Sequence, residues 1–201
     1  MKINTLMATL FLISAPAVIA QPKVDCSVYS SQEHSRYVLP YRQGSEHEVV
    51  VSTGHYRESN QGVGLYALDF IMPIGTPIVA ARTGHVVALR EQFYDGNGKD
   101  LHENFVFIQH DDGSIARYIH LTHDGVLVEI GEHVNAGQLI AKSGDTGQTG
   151  GHHLHFDVQQ CGPNLPPQYN QLPCGQTVPI TFSNTQPHQC GLEEGKSYRA
   201  F

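Results

Sequence analysis

The stretch Gly150-Gly151-His152-His153-Leu154-His155-Phe156 follows a glycine-rich turn, Ser143-Gly144-Asp145-Thr146-Gly147, and runs on into Asp157-Val158-Gln159. Read as a strand, it alternates: His153, His155 and Asp157 point to one face, and Leu154, Phe156 and Val158 to the other. The apolar face packs, which leaves two imidazoles side by side on a rigid support. That arrangement can hold one ring as a metal ligand and the next as a proton-transfer group, because the pleat supplies the few ångströms between them. The plain alternative is a strand whose polar face carries solvated histidines.

Two further residues bear on that choice. Asp69 interrupts an otherwise apolar strand, Tyr66-Ala67-Leu68-Asp69-Phe70-Ile71-Met72, and His120 ends another, Ile115-Ala116-Arg117-Tyr118-Ile119-His120-Leu121. A carboxylate inside an apolar strand needs a partner, since an isolated buried charge is costly. One candidate partner is an arginine such as Arg82. The other is a metal ion: an Asp with two or three histidines suits zinc, with one position left open for water. Such a site supplies Lewis acidity toward water and a carbonyl, and a neighbouring histidine moves the proton.

The elements that must position these residues read as short strands and tight turns. Glu48 to Ser52, Pro77 to Ala81, His85 to Leu89, Phe105 to His110, Val126 to Val128 and Leu139 to Ala141 join the strands already named. Asp111-Asp112-Gly113 reads as a hairpin turn between two of them. No helical period stands out between residues 45 and 160. The expectation is an all-β domain: a compact antiparallel β-sandwich or partly open barrel with short turns. Gly131 to Ile140 also resembles a half-repeat of a biotinyl/lipoyl-type sandwich, but Lys142 does not sit at a hairpin tip, so only hairpin geometry is shared.

The ends of the chain differ from this middle. Lys2, the apolar run Leu6 to Ile13, and Val18-Ile19-Ala20 before Gln21 read as a secretory signal peptide over residues 1–20. The apolar run is too short to span a bilayer comfortably, and no other stretch is long and apolar enough, so no transmembrane segment is expected after signal removal. Residues 21–44 read as a lead-in, 45–160 as the β domain, and 161–201 as a Cys- and Pro-rich extension packed on it. Cys26, Cys161, Cys174 and Cys190 make an even set in an oxidising compartment. Two disulfides are expected, in any of three connectivities, tying down the C-terminal extension. Twelve Lys and Arg stand against 19 Asp and Glu, a formal net charge of −7. There is no basic patch, so nucleic acid and anionic membranes are not expected partners. Of the 13 histidines, His34, His47, His133 and His188 stand alone in polar contexts and read as surface residues.

Tyr66-Ala67-Leu68-Asp69-Phe70, Gly75-Thr76-Pro77-Ile78-Val79-Ala80-Ala81, Tyr118-Ile119-His120-Leu121, Gly131 to Gly144 and His153-Leu154-His155-Phe156 together resemble the lysostaphin/LytM-type zinc metalloendopeptidases. The resemblance covers about Tyr66 to Val158, in order. It implies a small antiparallel β core and cleavage of peptide cross-links in bacterial peptidoglycan. It implies that Asp69 and His155 bind one zinc ion per chain, and that His120 and His153 act on the attacking water and the transition state. Short-loop members place the first zinc ligand four residues before the Asp, where this chain has Leu65. Other members place it across a loop, which makes His55 the candidate; a rival alignment puts Asn60 in that slot. No His-Glu-x-x-His is present, which sets the chain apart from the thermolysin class.

The expected function is therefore an exported, periplasmic or secreted zinc endopeptidase acting on the peptides of peptidoglycan. The alternative is a degenerate relative that binds the wall or regulates a partner hydrolase without cutting.

Overall fold

The computed structural model describes residues 25–51, 64–160 and 176–201. Residues 1–20, His55, Asn60, Cys161 and Cys174 lie outside the described residues. Among the described residues twelve strands follow one another: β1 (Glu46–Val51), β2 (Leu68–Ile71), β3 (Pro77–Val79), β4 (Gly84–Arg90), β5 (Phe105–Gln109), β6 (Ser114–Ile119), β7 (Leu121–Val126), β8 (His133–Val134), β9 (Leu139–Ser143), β10 (His153–Gln160), β11 (Gln176–Thr177) and β12 (Ser197–Arg199). The only helices among the described residues are two single 3-10 turns, Cys26–Val28 and Gln32–His34. None is long and apolar enough to cross a membrane.

Pairing is antiparallel throughout. The large sheet runs β12-β1-β2-β10-β6-β5-β4-β8, with β11 on the far part of β10, and a second sheet runs β3-β9-β7. Neither is closed, which agrees with the expected open, antiparallel β fold.

The strand period decides what faces where. Leu68, Phe70, Val106, Ile108, Ala116, Tyr118, Leu154, Phe156 and Val158 face one way and, with Ile78, Ile140 and Ala141 of the small sheet, form the main core. Phe156 is fully buried there, and emptying its place (Phe156→Ala) would cost about 3–5 kcal/mol. The opposite face of the same strands carries Ala88, Phe105, Phe107, Ile115 and Ile119 as a second, smaller apolar cluster. Asp69, Arg117, His153, His155 and Asp157 take the remaining alternate positions on that face. The polar residues thus lie on a sheet whose back is anchored by the main core.

Several boundaries differ from expectation. The strand expected over Val126 to Val128 is instead β7, because the chain turns sharply at His120 and starts a new strand at once. The C-terminal extension, expected only to pack on the domain, adds the short strand Gln176–Thr177 to β10, and Val178 just beyond it donates to the Val158 carbonyl. The C-terminal tail forms β12 against β1, with His47 opposite Tyr198. Cys26 and Cys190 are joined, so a disulfide does tie the two ends together. His47 and His188 are half-buried rather than surface residues: His47 packs on Tyr41, and His188 accepts the Phe182 amide.

Candidate functional site

The site is built on two rungs of the large sheet. On the first, Asp69 of β2 pairs with His155 of β10, which pairs with Ile119 of β6. On the second, Asp157 of β10 pairs with Arg117 of β6, which pairs with Phe107 of β5. Because strand residues two apart share a face, His155 lies between Asp69 beside it and Asp157 along its own strand.

The contacts follow that geometry. His155 Nδ1 lies 3.0 Å from Asp69 Oδ1, and His155 Nε2 lies 2.8 Å from Asp157 Oδ2. Arg117 grips Asp157 with two parallel hydrogen bonds, Nε to Oδ1 at 2.8 Å and Nη2 to Oδ2 at 2.5 Å. Fork-on-carboxylate pairing of this kind is both strong and directional. His155, Asp157 and Arg117 are each at most 3 % exposed. Burial works against charge on the His155 ring, but its bonds to Asp157 and Asp69 outweigh it and raise the pKa to about 9. Burial likewise favours a neutral Asp157, yet Arg117 and His155 draw its pKa down to about 2. A chain of opposite charges therefore runs from Arg117 to Asp69 across three strands.

His120 and His153 complete the cluster from the other side. Their rings are 4.6 Å apart, and His120 lies 6.1 Å from His155. His153 Nε2 is 3.7 Å from Asp69 Oδ1. Each ring directs Nδ1 at a backbone carbonyl: His120 to Thr146 at 2.7 Å and His153 to Gly151 at 2.8 Å. A carbonyl only accepts, so both rings donate from Nδ1 and leave Nε2 for the cluster. Burial first, then the neighbouring His153 and His155, push the His120 pKa down to about 3, which keeps that ring neutral.

His120 stands with φ of 63°, in the left-handed region that non-glycine residues seldom occupy. Backbone held that way costs of order 1–3 kcal/mol and persists only where the surroundings enforce it. The turn after β9 does the enforcing. Buried Thr146 donates from its hydroxyl to the Leu121 carbonyl at 2.8 Å and accepts the Asn104 amide at 2.9 Å, while its own carbonyl holds the His120 ring. Gly147 beside it has φ of 85°, and a Cβ there would come within 2.4 Å of the Glu103 side chain, so the turn needs glycine. Asp95 braces the same turn from the loop after β4, accepting the Asp145 amide at 2.7 Å and the Thr122 hydroxyl at 2.5 Å.

Beside the cluster lies a cleft of about 320 Å³ lined by Val50, Asp69, Ile71, Gly150, Gly151, His152 and His153. Its walls are apolar and glycine-rich, and Asp69 and His153 face into it. Such a trough can receive an extended peptide against the cluster.

Asp69 and His155 fit the role of metal donors. Two donors sharing a tetrahedral zinc at 2.0–2.1 Å would stand roughly 3.3 Å apart, close to the 3.0 Å observed. Among the described residues no group of three or more His, Cys, Asp or Glu is arranged to hold a metal ion. A third donor would have to come from outside the described residues, where His55 and Asn60 both lie.

The structure thus brings Asp69, His120, His153 and His155 together. Arg82, the alternative partner for Asp69, is engaged elsewhere, with Asp111 and with Asp112 at 2.8 Å. Sequence reasoning placed Asp157 on the histidine face but missed its bond to His155, and it missed Arg117 entirely. The signal was available: an arginine between Ala116 and Tyr118 in an apolar strand needs a counter-charge for the same reason that Asp69 does.

An open antiparallel sheet with an Asp and three histidines on one face defines a candidate metallohydrolase site. The comparisons agree at the level of family. The model of peptidase family M23 matches residues 64–167, and the chain belongs to that family. The peptidoglycan DD-endopeptidase ShyA of Vibrio cholerae is 38% identical over 111 residues, covering 55% of this chain and 24% of that protein. Lysostaphin of Staphylococcus simulans is 32% identical over 128 residues, covering 63% and 23%. The murein hydrolase activator NlpD of Salmonella typhimurium is 31% identical over 138 residues, covering 69% and 33%. The chain spans about a quarter to a third of the length of these relatives. Among solved structures, a zinc-containing peptidase from Vibrio cholerae aligns with a TM-score of 0.47 at 29% identity, covering 66% of this chain and 41% of that one.

Proposed function

We propose that this protein is an exported zinc-dependent endopeptidase that hydrolyses the peptide cross-links of peptidoglycan. The observation that carries the reading is the convergence of Asp69 Oδ1, His155 Nδ1 and His153 Nε2, with the His120 ring beside them, at the edge of an apolar cleft. Asp69 and His155 would hold zinc, with His55 as the third ligand and Asn60 as its rival for that slot. Zinc in such a site supplies Lewis acidity toward a water and a peptide carbonyl. His120, kept neutral by burial, can take a proton at Nε2, since Nδ1 is committed to Thr146. His153, fixed in the same way by Gly151, holds or passes a proton at Nε2 on the cleft side. The cleft wall from Gly150 to His153 positions the peptide. Similarity to DD-endopeptidases and to lysostaphin favours a peptidoglycan peptide as substrate. The N-terminal signal pattern and the even cysteine set favour the periplasm or exterior.

Two observations support a second reading. Leu65, four residues before Asp69, cannot bind metal, and the similarity includes a murein hydrolase activator. On that reading the chain binds the wall or regulates a partner hydrolase. Mass spectrometry of peptidoglycan incubated with residues 21–201 separates the two. New free termini in the cross-link peptides are expected; intact cross-links with retained binding would favour the regulatory reading.

A further inference from the structure

We propose that the loop between β4 and β5 carries a sugar-binding platform, with Tyr94 as the ring on which a pyranose of the glycan strand stacks. Tyr94 is 70 % exposed, the most exposed large apolar side chain among the described residues. It is nevertheless held still. His123 of β7 lies flat against one face of its ring, with centroids 3.9 Å apart and planes 8° from parallel. The backbone is clamped on both sides of that stack. Before it, Glu91 accepts the Asp124 amide at its carbonyl, at 3.0 Å, and the Val126 amide at its carboxylate, at 3.1 Å. After it, Asp95 accepts the Thr122 hydroxyl and the Asp145 amide. The Tyr94 carbonyl itself accepts from the Asn97 side chain at 2.8 Å. Fixing a side chain costs conformational entropy, and little burial of this ring offsets it. A ring immobilised in advance loses less freedom when a ligand arrives, so it makes an effective contact surface.

The surroundings decide what fits there. Exposed Asp124 has Oδ2 3.3 Å from His123 Nδ1, so a carboxylate acceptor stands at the edge of the stack. An apolar protein segment or a lipid chain would desolvate that carboxylate without pairing it. A pyranose suits both features: its C–H face lies on the open face of the ring, and its hydroxyls donate to the carboxylate. The net charge of −7 disfavours an anionic polymer and leaves a neutral sugar. The choice of sugar rests on the peptidoglycan reading above, since that glycan strand is built of N-acetylated pyranoses. Position agrees. Gly96 donates to the Asp145 carbonyl at 2.8 Å, and the Asn97 side chain accepts the Gly147 amide at 3.2 Å. The platform is thereby fastened to the turn that leads into the cleft wall at Gly150 and Gly151, so peptide in the cleft and sugar on Tyr94 would be two parts of one substrate.

Peptide-free glycan strands, titrated into the labelled protein and followed by NMR, test this without any turnover. Saturable shifts of the Tyr94 and His123 ring signals are expected. Tyr94→Leu, which keeps apolar bulk but no flat face, should weaken binding about tenfold, the upper worth of an aromatic contact. Tyr94→Phe, which keeps the face, should bind like wild type. A wild type that does not bind the strands overturns the proposal, as does equal binding by Tyr94→Leu. Turnover is the second arm. Tyr94→Leu should raise KM on intact peptidoglycan about tenfold more than on a glycan-free cross-linked peptide, and an equal change on both would overturn the assignment. A wild type that cuts neither substrate would instead contradict the proposed function, and the glycan titration would still decide the platform.

Discussion

The large sheet has a buried histidine at each end, and the two ends differ instructively. His110 follows β5 at one end, and His120 follows β6 at the other. Both are 4 % exposed, both give Nδ1 to a backbone carbonyl, and burial depresses both, His110 to about 4 and His120 to about 3. Their neighbours differ. Around His110 the charges are already matched: Arg82 and Arg36 bind Asp111 and Asp112. Around His120 lie His153, His155 and Asp69, with a cleft alongside. A cleft is present at both ends, about 400 Å³ beside His110 and about 320 Å³ beside Asp69 and His153, so neither a buried histidine with a lowered pKa nor open space marks a site by itself; what distinguishes the His120 end is the convergence of three imidazoles and a carboxylate.

That contrast can be broken most severely at the proposed metal donors. His155→Ala is expected to abolish both zinc binding and turnover, and zinc at wild-type stoichiometry in that variant would remove it from the ligand set. His153→Ala should keep zinc and lose about 10²–10⁴ in turnover, the usual worth of a proton-transfer group; equal zinc loss in the two variants would show that the division of roles along β10 is wrong. At the doubtful slot, His55→Ala should strip zinc as thoroughly as His155→Ala while Asn60→Ala leaves it near wild type, and metal analysis showing the reverse would place Asn60 there.

The His110 end should respond in stability instead. Its folded pKa near 4 lies below the ordinary 6.5, so between those values the unfolded chain binds the proton and the fold does not. Stability from this residue is present above about 6.5 and is lost as pH falls toward 4, up to about 3 kcal/mol. Replacing it (His110→Gln) should flatten that part of the denaturation profile and leave turnover unchanged; an unaltered slope would contradict the assignment. The smallest effect belongs to Arg36→Ala. Its pairs with Asp111 and Asp112 are solvent-exposed, and a Tm indistinguishable from wild type is expected.

Local pattern carried much of this into view. The alternation of His153, Leu154, His155 and Phe156 was enough to put two imidazoles on one face, and Asp69 betrayed itself by interrupting apolar neighbours. Three features were not legible. The bond from Arg117 to Asp157 joins residues 40 apart, and alternation gives a residue's face but not its cross-strand partner. β12 pairs with β1 across most of the chain, through three residues, Ser-Tyr-Arg, too few to show a period. Alternation places His120 at the end of a strand, but its left-handed backbone depends on Thr146 and the Asp95 brace, which reach it only through the folded turn.

The measurement that bears most directly on the Asp69–His155 cluster is the zinc content of the purified mature protein, read alongside its hydrolysis of peptidoglycan with and without excess chelator. One zinc per chain and hydrolysis that stops on chelation are the expected result. Full hydrolysis in excess chelator, or a wild-type protein that never holds stoichiometric zinc, would contradict it.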